Sequence, residues 1–266
     1  MSMIKIHEAN RRLWNNMAAD WEERLNRDDL WHRCHKEPEL AFDGGTLDTI
    51  QEMVGTLRDK QVCVIGSGDN MAAYALAGLG ARVTSTDISE ERLKLAADRA
   101  EVLGVSIDFV RTDAACLESL VDSSFDLVCS TNGFFVWIAD LSGVFCEVSR
   151  ILKSGGAYIF YDIHPFMRPW KDQVMPLKME KPYWETGPFQ ESTDESYVFN
   201  WTLADLLNPL AQAGLIVKKV LESPARDSDF WRGSNDASET DESLLDWRAN
   251  PRAGLPVWLT VAALTS

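Results

Sequence analysis

The sequence QVCVIGSGDNMAAYALAGL, at residues 61–79, combines a continuous apolar run, a glycine-rich turn and a segment rich in alanine and leucine. A short apolar run of this kind is typical of a strand that is buried on both faces of a parallel sheet. Gly66 and Gly68 permit a close backbone approach, and the free N–H groups that open the following helix can contact a ligand. The stretch therefore predicts a strand, a ligand-binding turn and a helix.

The same alternation continues along the chain. Apolar or β-branched runs predict strands at 82–86, 105–110, 125–130, 157–161, 216–220 and 256–264. Amphipathic or capped segments predict helices at 90–103, 141–152 and 202–213, and a short helix at 241–248. Strands that alternate with helices in this way form βαβ units, so the predicted fold class is α/β with a doubly wound parallel sheet. Ligands of such sheets bind outside the carboxyl ends of the strands.

The domain organisation follows from where this alternation begins and where it is interrupted. Residues 1–58 predict a helical N-terminal cap, in which an amphipathic helix runs from Arg12 to Leu25. Residues 59–266 predict the α/β domain. Two segments are too long for plain connections in a compact domain, an aromatic and proline-rich one at about 164–200 and an acidic one at about 223–254. Long loops of this kind are usually lids or binding segments, or they solvate the surface.

Composition narrows the class of protein. The 266 residues are 45% apolar and 25% charged, as in ordinary globular proteins. The 26 basic and 41 acidic residues give a net charge of −15, which argues against general binding of nucleic acids and against docking on anionic lipid. No apolar run approaches the roughly 18 residues of a membrane span, and five cysteines without a C-x-x-C motif suit a reducing compartment. A cytoplasmic location is therefore expected.

No metal site is expected. His32, Cys34 and His35 form the one cluster of suitable ligands, and they supply at most three. A polar surface segment is the better interpretation of these residues, because structural zinc sites need four ligands.

Asp87 ends the second predicted strand about 20 residues after the glycine turn, where a carboxylate can accept hydrogen bonds from ribose hydroxyls. A helix-entry role is the alternative interpretation of this residue. A dinucleotide fingerprint requires a third small residue at the position of Met71. The pattern therefore favours an adenosine ligand without a pyrophosphate, while an NAD-dependent oxidoreductase stays as an alternative.

Five motifs follow one another between residues 62 and 156. They are a strand with a G-x-G turn at 62–70 (VCVIGSGDN), an acid ending the second strand at 86–90 (TDISE), an acid after the third strand at 111–114 (RTDA), a fourth-strand motif at 125–132 (FDLVCSTN) and a glycine turn at 152–156 (LKSGG). Their order and spacing resemble those of class I S-adenosylmethionine-dependent methyltransferases, in the type 11-like branch that acts on small molecules. The resemblance implies a seven-stranded, mostly parallel Rossmann-like sheet with an antiparallel last strand.

The resemblance also implies a cofactor, S-adenosyl-L-methionine, and the residues that bind it. Asp87 would hold the ribose, Asp113 the adenine edge, and Ala114 would offer its backbone N–H to the adenine ring. The full set of expected cofactor-binding residues is Gly66, Ser67, Gly68, Asp69, Asp87, Ile88, Asp113, Ala114 and Asn132.

Two positions depart from the family pattern. Val64 stands where the family has an acid that helps to fix the methionine part of the cofactor, and Asn70 stands at the third glycine. Asn is the non-glycine residue that best tolerates a left-handed backbone, so the turn can form with Asn70. Asp69 is a candidate for the missing negative charge toward the ammonium group of the cofactor.

The part of the site that binds the methyl acceptor is expected to be lined by aromatic side chains. Trp14, Trp21, Trp184 and Trp201 are expected to face a small-molecule substrate, enclosed by the N-terminal helices and the 164–200 segment. His164 follows the fifth strand at the carboxyl edge of the sheet, which makes it the candidate general base, and a structural histidine is the alternative. Direct methyl transfer to an O, N, C or S atom is the expected reaction. The expected oligomeric state is a monomer or homodimer. A non-catalytic cofactor-binding module and a methyltransferase that modifies proteins are the alternatives on the same fold.

Overall fold

The protein is described by a computed structural model that covers residues 2–171, 176–190, 196–232 and 241–266. Its centre is a seven-stranded sheet built from β1 (Gln61–Val64), β2 (Arg82–Asp87), β3 (Ile107–Arg111), β4 (Phe125–Ser130), β5 (Leu152–Ile163), β8 (Ile216–Ser223) and β9 (Trp258–Leu264). A separate two-stranded hairpin is formed by β6 (Phe189–Gln190) and β7 (Tyr197–Val198). The helices are α1 (Met3–Asn16), α2 (Ala18–Asp28), α3 (Thr46–Val54), α4 (Met71–Gly78), α5 (Glu90–Leu103), α6 (Leu141–Ile151), α7 (Leu203–Gln212) and α8 (Asp229–Arg232).

The strand order is β3-β2-β1-β4-β5-β9-β8. Strands β1 to β5 pair in parallel, whereas β9 runs antiparallel to both β5 and β8. The chain reverses direction across the sheet between β1 and β4, since β2 and β3 extend to one side and β5 to the other. This confirms the predicted fold class, a doubly wound and mostly parallel sheet whose last strand is antiparallel.

Side chains alternate along each buried strand between two hydrophobic layers. Val62 and Val64 of β1 pack with α3 and α4 on one face, while Cys63 and Ile65 face α6 and α7 on the other. All four side chains are fully buried. This is why β1 has a continuous apolar run rather than the alternating pattern of a half-exposed strand.

The N-terminal region differs from the prediction at one point. The single helix expected from Arg12 to Leu25 is two helices, because the backbone breaks at Met17 between α1 and α2. Leu13, Trp14, Met17 and Trp21 nevertheless face the same space at the edge of the sheet. The break leaves the apolar stripe continuous, so the periodicity of the sequence did not reveal it.

Helix α3 belongs to the sheet layers rather than to the helices that lie over the strand ends. It packs on β5 and β9, and its Ile50 is fully buried in the hydrophobic core. The Oγ1 atoms of Thr46 and Thr260 lie 3.1 Å apart and join α3 to β9. The domain boundary expected near residue 58 stays a prediction.

Strand β5 is longer than predicted. The expected turn at 153–156 lies inside the strand, which starts at Leu152 and changes register against β4 between Phe125 and Leu127. Gly155 adopts a φ of 71° there, a conformation that is typical of a glycine in a bulged strand. The turn motif therefore marks an irregularity within β5 instead of a separate loop.

Short 3₁₀ helices complete the structure. They span Leu30–His32, Pro38–Ala41, Phe135–Trp137, Pro165–Met167, Glu242–Leu245 and Pro251–Gly254. The helix expected at 241–248 is the 3₁₀ helix Glu242–Leu245. Parts of the two long segments, at 172–175, 191–195 and 233–240, lie outside the described residues. Within the described parts of the chain, no helix combines the length and apolar character needed to cross a membrane.

The position of α3 predicts its effect on stability. Replacing Ile50 by Ala should lower the free energy of unfolding by about 2–5 kcal/mol, because the shortened side chain leaves a cavity in a fully buried site. The matched control is Ile4→Ala in α1, where the isoleucine is 80% exposed, and this change should stay within about 0.5 kcal/mol. Urea unfolding followed by circular dichroism measures both. Equal stability of the two variants would contradict the placement of α3 in the core.

Candidate functional site

A cavity of about 720 Å³ lies at the carboxyl ends of the parallel strands. It extends from the loop after β3, past the ends of β2, β1 and β4, to Tyr161 near the end of β5. The N-terminal helices α1 and α2, termed the cover, contribute to its wall together with the residue between them. Their apolar and aromatic side chains there are Leu13, Trp14, Met17 and Trp21.

The glycine turn after β1 forms the floor of the cavity. Gly66, Gly68 and Asn70 have φ values of 56°, 52° and 62°, so three alternating residues are left-handed. Asn70 is fully buried; its Nδ2 donates to the Gly68 carbonyl and its Oδ1 accepts from the Ser85 hydroxyl. This confirms that Asn70 supports the turn in place of a third glycine.

Gly66 has a second constraint besides its torsion angle. A Cβ atom at this position would lie 2.2 Å from Cδ2 of Phe134, whose ring packs against the turn. At Gly68, by contrast, an added Cβ would meet its nearest atoms only at 3.8–3.9 Å. The backbone is therefore open toward the cavity at Gly68, which suits the close approach of a ligand.

Asp87 is the buried carboxylate at the end of β2. Its Oδ2 accepts from the Gly68 backbone N–H and its Oδ1 from the Ser89 N–H, both at 2.9 Å. Burial raises the pKa of Asp87, while these two hydrogen bonds and nearby Arg92 oppose the rise. Each oxygen keeps a further lone pair, so the carboxylate can also accept from two ribose hydroxyls.

Asp113 follows β3 and contacts α1. Its Oδ2 lies 2.7 Å from Nδ1 of His7, and its Oδ1 accepts from the Ala115 N–H at 2.9 Å. Nε2 of His7 accepts from the Ala139 N–H at 2.9 Å, which assigns the donor proton to Nδ1. Burial raises the pKa of Asp113, but the hydrogen bonds from His7 and from the Ala115 N–H outweigh it and lower that pKa below its ordinary value.

Asn10 joins α1 to the segment after β4 and to β7 of the hairpin. Its Nδ2 donates to the carbonyls of Trp137 and Tyr197, and its Oδ1 accepts from the Tyr197 N–H. The side chain thus bonds to both backbone groups of one β7 residue, in the manner of a neighbouring strand. The side chain is only 2% exposed, so these bonds are shielded from water.

Helix α1 is also tied to the loop after β2. The hydroxyl of Ser89 donates to Oδ1 of Asn15 at 2.7 Å, and Arg11 donates to Glu90 at 2.6 Å. Together with His7 and Asn10, these contacts anchor one helix to the loops that follow three different strands of the sheet.

Asp69 already has two partners. Its Oδ1 accepts from Nε1 of Trp21 at 2.6 Å and from the Arg92 guanidinium at 2.5 Å. The Arg92 guanidinium in turn lies 5.0 Å from the ring centre of Trp14 and 5.5 Å from that of Trp21. Asp69 therefore links the glycine turn to α2, and a cofactor ammonium would share this carboxylate with Arg92.

The structure brings all nine expected cofactor-binding residues to one cavity. Besides those described above, Ser67, Ile88, Ala114 and Asn132 contribute to its wall. Ser67 is buried and its hydroxyl lies 2.7 Å from that of Ser85, which leaves its backbone rather than its side chain to face a ligand. The donor set of a glycine turn, a carboxylate after β2 and a carboxylate after β3 suits an adenosine group.

Of the five residues expected to face the substrate, Trp14 and Trp21 line the cavity, whereas His164, Trp184 and Trp201 do not. The prediction for these three is corrected for separate reasons. Trp184 is 79% exposed on the surface, and Trp201 stacks on Phe199 and donates its Nε1–H to the Ile138 carbonyl.

His164 is fully buried outside the cavity. Its Nδ1 accepts from the Phe166 N–H and caps a 3₁₀ helix, and its Nε2 lies 2.9 Å from Glu222 of β8. Burial lowers the pKa of His164, against the opposing charge of Glu222. The structural alternative for this histidine therefore fits its surroundings, and the general-base role does not.

Several residues of the site were missed from the sequence. Asp162, buried at the end of β5, accepts from the N–H groups of Gly133 and Phe135 and so fixes the loop after β4. Burial raises its pKa, although Arg168 opposes the rise. Asp162 could have been predicted as a site residue from its position at a strand end. No feature of the sequence marked Asp43 or His7, because their contacts depend on the packing of the N-terminal segments over the sheet.

Within the described residues, no group of three or more His, Cys, Asp or Glu side chains is arranged to hold a metal ion.

Comparisons with known proteins agree with this geometry. Residues 63–160 match the family model described as a methyltransferase domain. A ubiquinone biosynthesis O-methyltransferase of Nitrosomonas europaea is 28% identical over 115 residues, which cover 43% of this chain and 48% of that protein. The protein of the same name from Bordetella avium is 27% identical over 159 residues, covering 59% and 61%. The chain thus spans about half the length of the curated relatives it matches.

Solved structures share the fold over most of the chain. An S-adenosylmethionine-dependent methyltransferase of Mesorhizobium loti gives a TM-score of 0.63 at 21% identity, covering 82% of this chain and 96% of that one. Geranyl diphosphate C-methyltransferase of Streptomyces coelicolor, solved with S-adenosyl-L-homocysteine, gives 0.57 at 14% identity, covering 82% and 77%. Residues 63–160 thus match a methyltransferase-domain family, and the fold is the one found in S-adenosylmethionine-dependent methyltransferases.

The bond between α1 and β3 predicts a pH effect. Replacing His7 by Ala should raise the pKa of Asp113, since burial remains while the compensating donor is lost. In the unaltered protein this carboxylate has a lower pKa folded than unfolded. The ionised carboxylate therefore stabilises the fold above the pKa of an unfolded-state aspartate, which is about 4. This stabilisation is lost as the pH falls through the pKa of Asp113 in the folded protein.

Carbon-13 NMR titration of the Asp113 carboxylate measures this pKa directly, and urea unfolding between acid and neutral pH measures the linked stability. His32→Ala is the control, because His32 pairs with Asp29 on an exposed surface. An unchanged Asp113 titration in His7→Ala would refute the assignment of His7 as its donor.

Proposed function

We propose that this chain transfers a methyl group from S-adenosyl-L-methionine to a small-molecule acceptor that is enclosed beneath α1 and α2. The observation that carries the proposal is the course of the cavity. The same cavity is lined by the glycine turn, Asp87 and Asp113 after β1 to β3 and by Tyr161 of β5. Its extent supports a cofactor and an acceptor bound side by side.

The cofactor would be held by residues of the first half of the domain. The Asp87 carboxylate would accept from the ribose hydroxyls, and Asp113 with Ala114 would contact the adenine edge. Asp69 would face the ammonium group, in place of the acid that Val64 replaces. When bound, the cofactor supplies an electrophilic methyl group on a positively charged sulfur. The chain's own contribution is to align the acceptor with that carbon and to exclude water.

The size and lining of the cavity favour a small molecule as the acceptor. Its volume lies within the range of small-molecule sites, and Leu13, Met17 and Trp21 give it apolar walls. A methyltransferase that modifies proteins needs an open groove for a peptide, so this geometry argues against that alternative. The names of the curated relatives, which are O-methyltransferases, support a hydroxyl acceptor among the O, N, C and S atoms considered.

Other expectations stay predictions. An NAD-dependent oxidoreductase is disfavoured, because Met71 stands where the dinucleotide fingerprint has a small residue. A non-catalytic cofactor-binding module stays an alternative, since Val64 removes an acid that the family uses. The cytoplasmic location and the absence of nucleic-acid and membrane partners are expectations from the sequence. The monomeric or homodimeric state is an expectation that no sequence feature supports.

Binding of S-adenosyl-L-homocysteine tests the proposed cofactor site. Calorimetric titration should show micromolar affinity, with no comparable binding of NADH. Asp87→Asn should weaken the affinity about 100-fold, because hydrogen bonds to a charged group are worth about 1.5–3 kcal/mol each.

Asp108→Asn is the matched control, as Asp108 is an exposed residue of neighbouring β3 and should leave the affinity unchanged. Circular dichroism verifies that both variants fold. The proposal fails if the folded, ligand-free protein binds NADH more tightly than S-adenosyl-L-homocysteine, or binds neither.

A further inference from the structure

Asp43 is a carboxylate in the part of the cavity that the cofactor residues do not occupy. It lies in the segment between the 3₁₀ helix Pro38–Ala41 and α3, and it lines the cavity together with Ala41 and Tyr161. The Tyr161 hydroxyl donates to the Ala41 carbonyl at 3.2 Å, which places this segment against the end of β5. This contact places Asp43 near the β5 end of the cavity, whereas the expected cofactor-binding residues follow β1 to β4.

The backbone around Asp43 is fixed. Its carbonyl accepts from both the N–H and the Oγ1 of Thr46, at 3.0 and 2.6 Å. The next carbonyl, of Gly44, accepts from Oγ1 of Thr260 at 3.0 Å. A Cβ atom at Gly44 would lie 2.8 Å from that same Oγ1, so the chain lies flat on β9 here. The position of the Asp43 side chain is therefore set by strands and helices rather than by a mobile loop.

The carboxylate itself is left without a bonding partner. Among the described residues, it makes no hydrogen bond and no ion pair, although its backbone carbonyl makes two hydrogen bonds. A partly buried carboxylate is costly to leave unpaired, so its retention in a cavity wall indicates a ligand that pairs with it.

Three ionisable groups act on Asp43. Arg226 and Asp227, from the segment after β8, act at longer range with opposite signs, and the phenol of Tyr161 faces it from β5. Burial is the largest influence and raises the pKa of Asp43 above its ordinary value. A carboxyl group with a raised pKa is a better proton acceptor at neutral pH than an ordinary surface aspartate.

Apolar side chains also line the cavity, among them Leu30, Leu40, Met71 and Ala72. An acceptor that suits these walls is a flat or apolar molecule with one polar group, and that group would meet Asp43.

We propose that Asp43 is a catalytic residue that accepts the proton of a phenolic or catecholic hydroxyl during methyl transfer. This rests on the proposed function and deepens it by assigning the acceptor class and the base. The proton leaves the acceptor oxygen for the Asp43 carboxylate, and the electron pair of that oxygen forms the bond to the transferred methyl carbon. The pair of the broken carbon–sulfur bond stays on sulfur, which becomes neutral, and Asp43 later releases its proton to water.

A chromogenic probe tests the contact between the Asp43 carboxylate and the acceptor hydroxyl without catalytic turnover. 4-Nitrocatechol changes its absorbance when its hydroxyl ionises, so its ionisation can be titrated while it is bound to protein saturated with S-adenosyl-L-homocysteine. The Asp43 carboxylate favours the neutral hydroxyl, and the ionisation midpoint of the bound probe should therefore rise above that of the free probe. Asp43→Asn should abolish this rise, and the matched variant Asp48→Asn, at an exposed position of α3, should keep it.

Turnover provides the second measurement. Transfer of a radiolabelled methyl group to 4-nitrocatechol should fall about 100-fold in kcat in Asp43→Asn, a typical loss for a missing general base, with the acidic limb of the pH profile removed. Asp48→Asn should leave both kcat and the profile unchanged, and Asp43→Glu should recover part of the rate.

Each contrary result has one meaning. An equal ionisation midpoint in the unaltered protein and Asp43→Asn, or an unchanged pH profile, overturns the role of Asp43. Stronger binding of benzylamine than of 4-nitrocatechol, lost in Asp43→Asn, assigns the carboxylate to a cation and overturns the hydroxyl class. Protein that binds S-adenosyl-L-homocysteine but neither binds nor methylates the probe also overturns that class while leaving the cofactor site intact. Failure to bind S-adenosyl-L-homocysteine would instead contradict the proposed function itself.

Discussion

The hydrogen bond between His7 and Asp113 ties the N-terminal helix α1 to the carboxyl edge of the sheet, where the cavity lies. The two residues are 106 positions apart, and their bond of 2.7 Å holds α1 across the carboxyl ends of the strands. His7 also accepts from Ala139, so one side chain joins α1 to the loops after β3 and β4. Because the imidazole is 5% exposed, water competes weakly for these bonds, and the cover is part of the folded structure.

The same contacts give Asp113 and Asp69 a double role. Each is an acid that the cofactor would contact, and each already pairs with a residue that closes the cavity, His7 for Asp113 and Trp21 with Arg92 for Asp69. A ligand that contacts these carboxylates would share them with His7 of α1 and Trp21 of α2.

Much of the fold was predictable because its signals are local. Buried parallel strands are continuous apolar runs, and the predicted β4 has the observed bounds, Phe125–Ser130. The cofactor residues share the cavity because they follow strands whose carboxyl ends meet at one edge. The N-terminal helices were predictable only as one amphipathic stripe. The bonds of His7 and Asn10 join residues more than 100 positions apart, and the periodicity carries no sign of the break at Met17. His164 was placed correctly at the end of β5, but the Phe166 N–H and Glu222 orient its ring away from the cavity.

The packing of Phe134 on Gly66 has an evolutionary consequence. Any larger residue at position 66 meets two independent obstacles, the ring 2.2 Å from its Cβ and a φ of 56° that side chains other than Asn and Asp rarely adopt. Shrinking residue 134 removes the first obstacle and leaves the second, while reshaping the turn removes the second and leaves the first. Replacement of this glycine by residues other than Asn and Asp therefore requires two changes in its surroundings, a smaller residue 134 and a reshaped turn. In descendants of this sequence, position 66 should stay glycine even after residue 134 has changed.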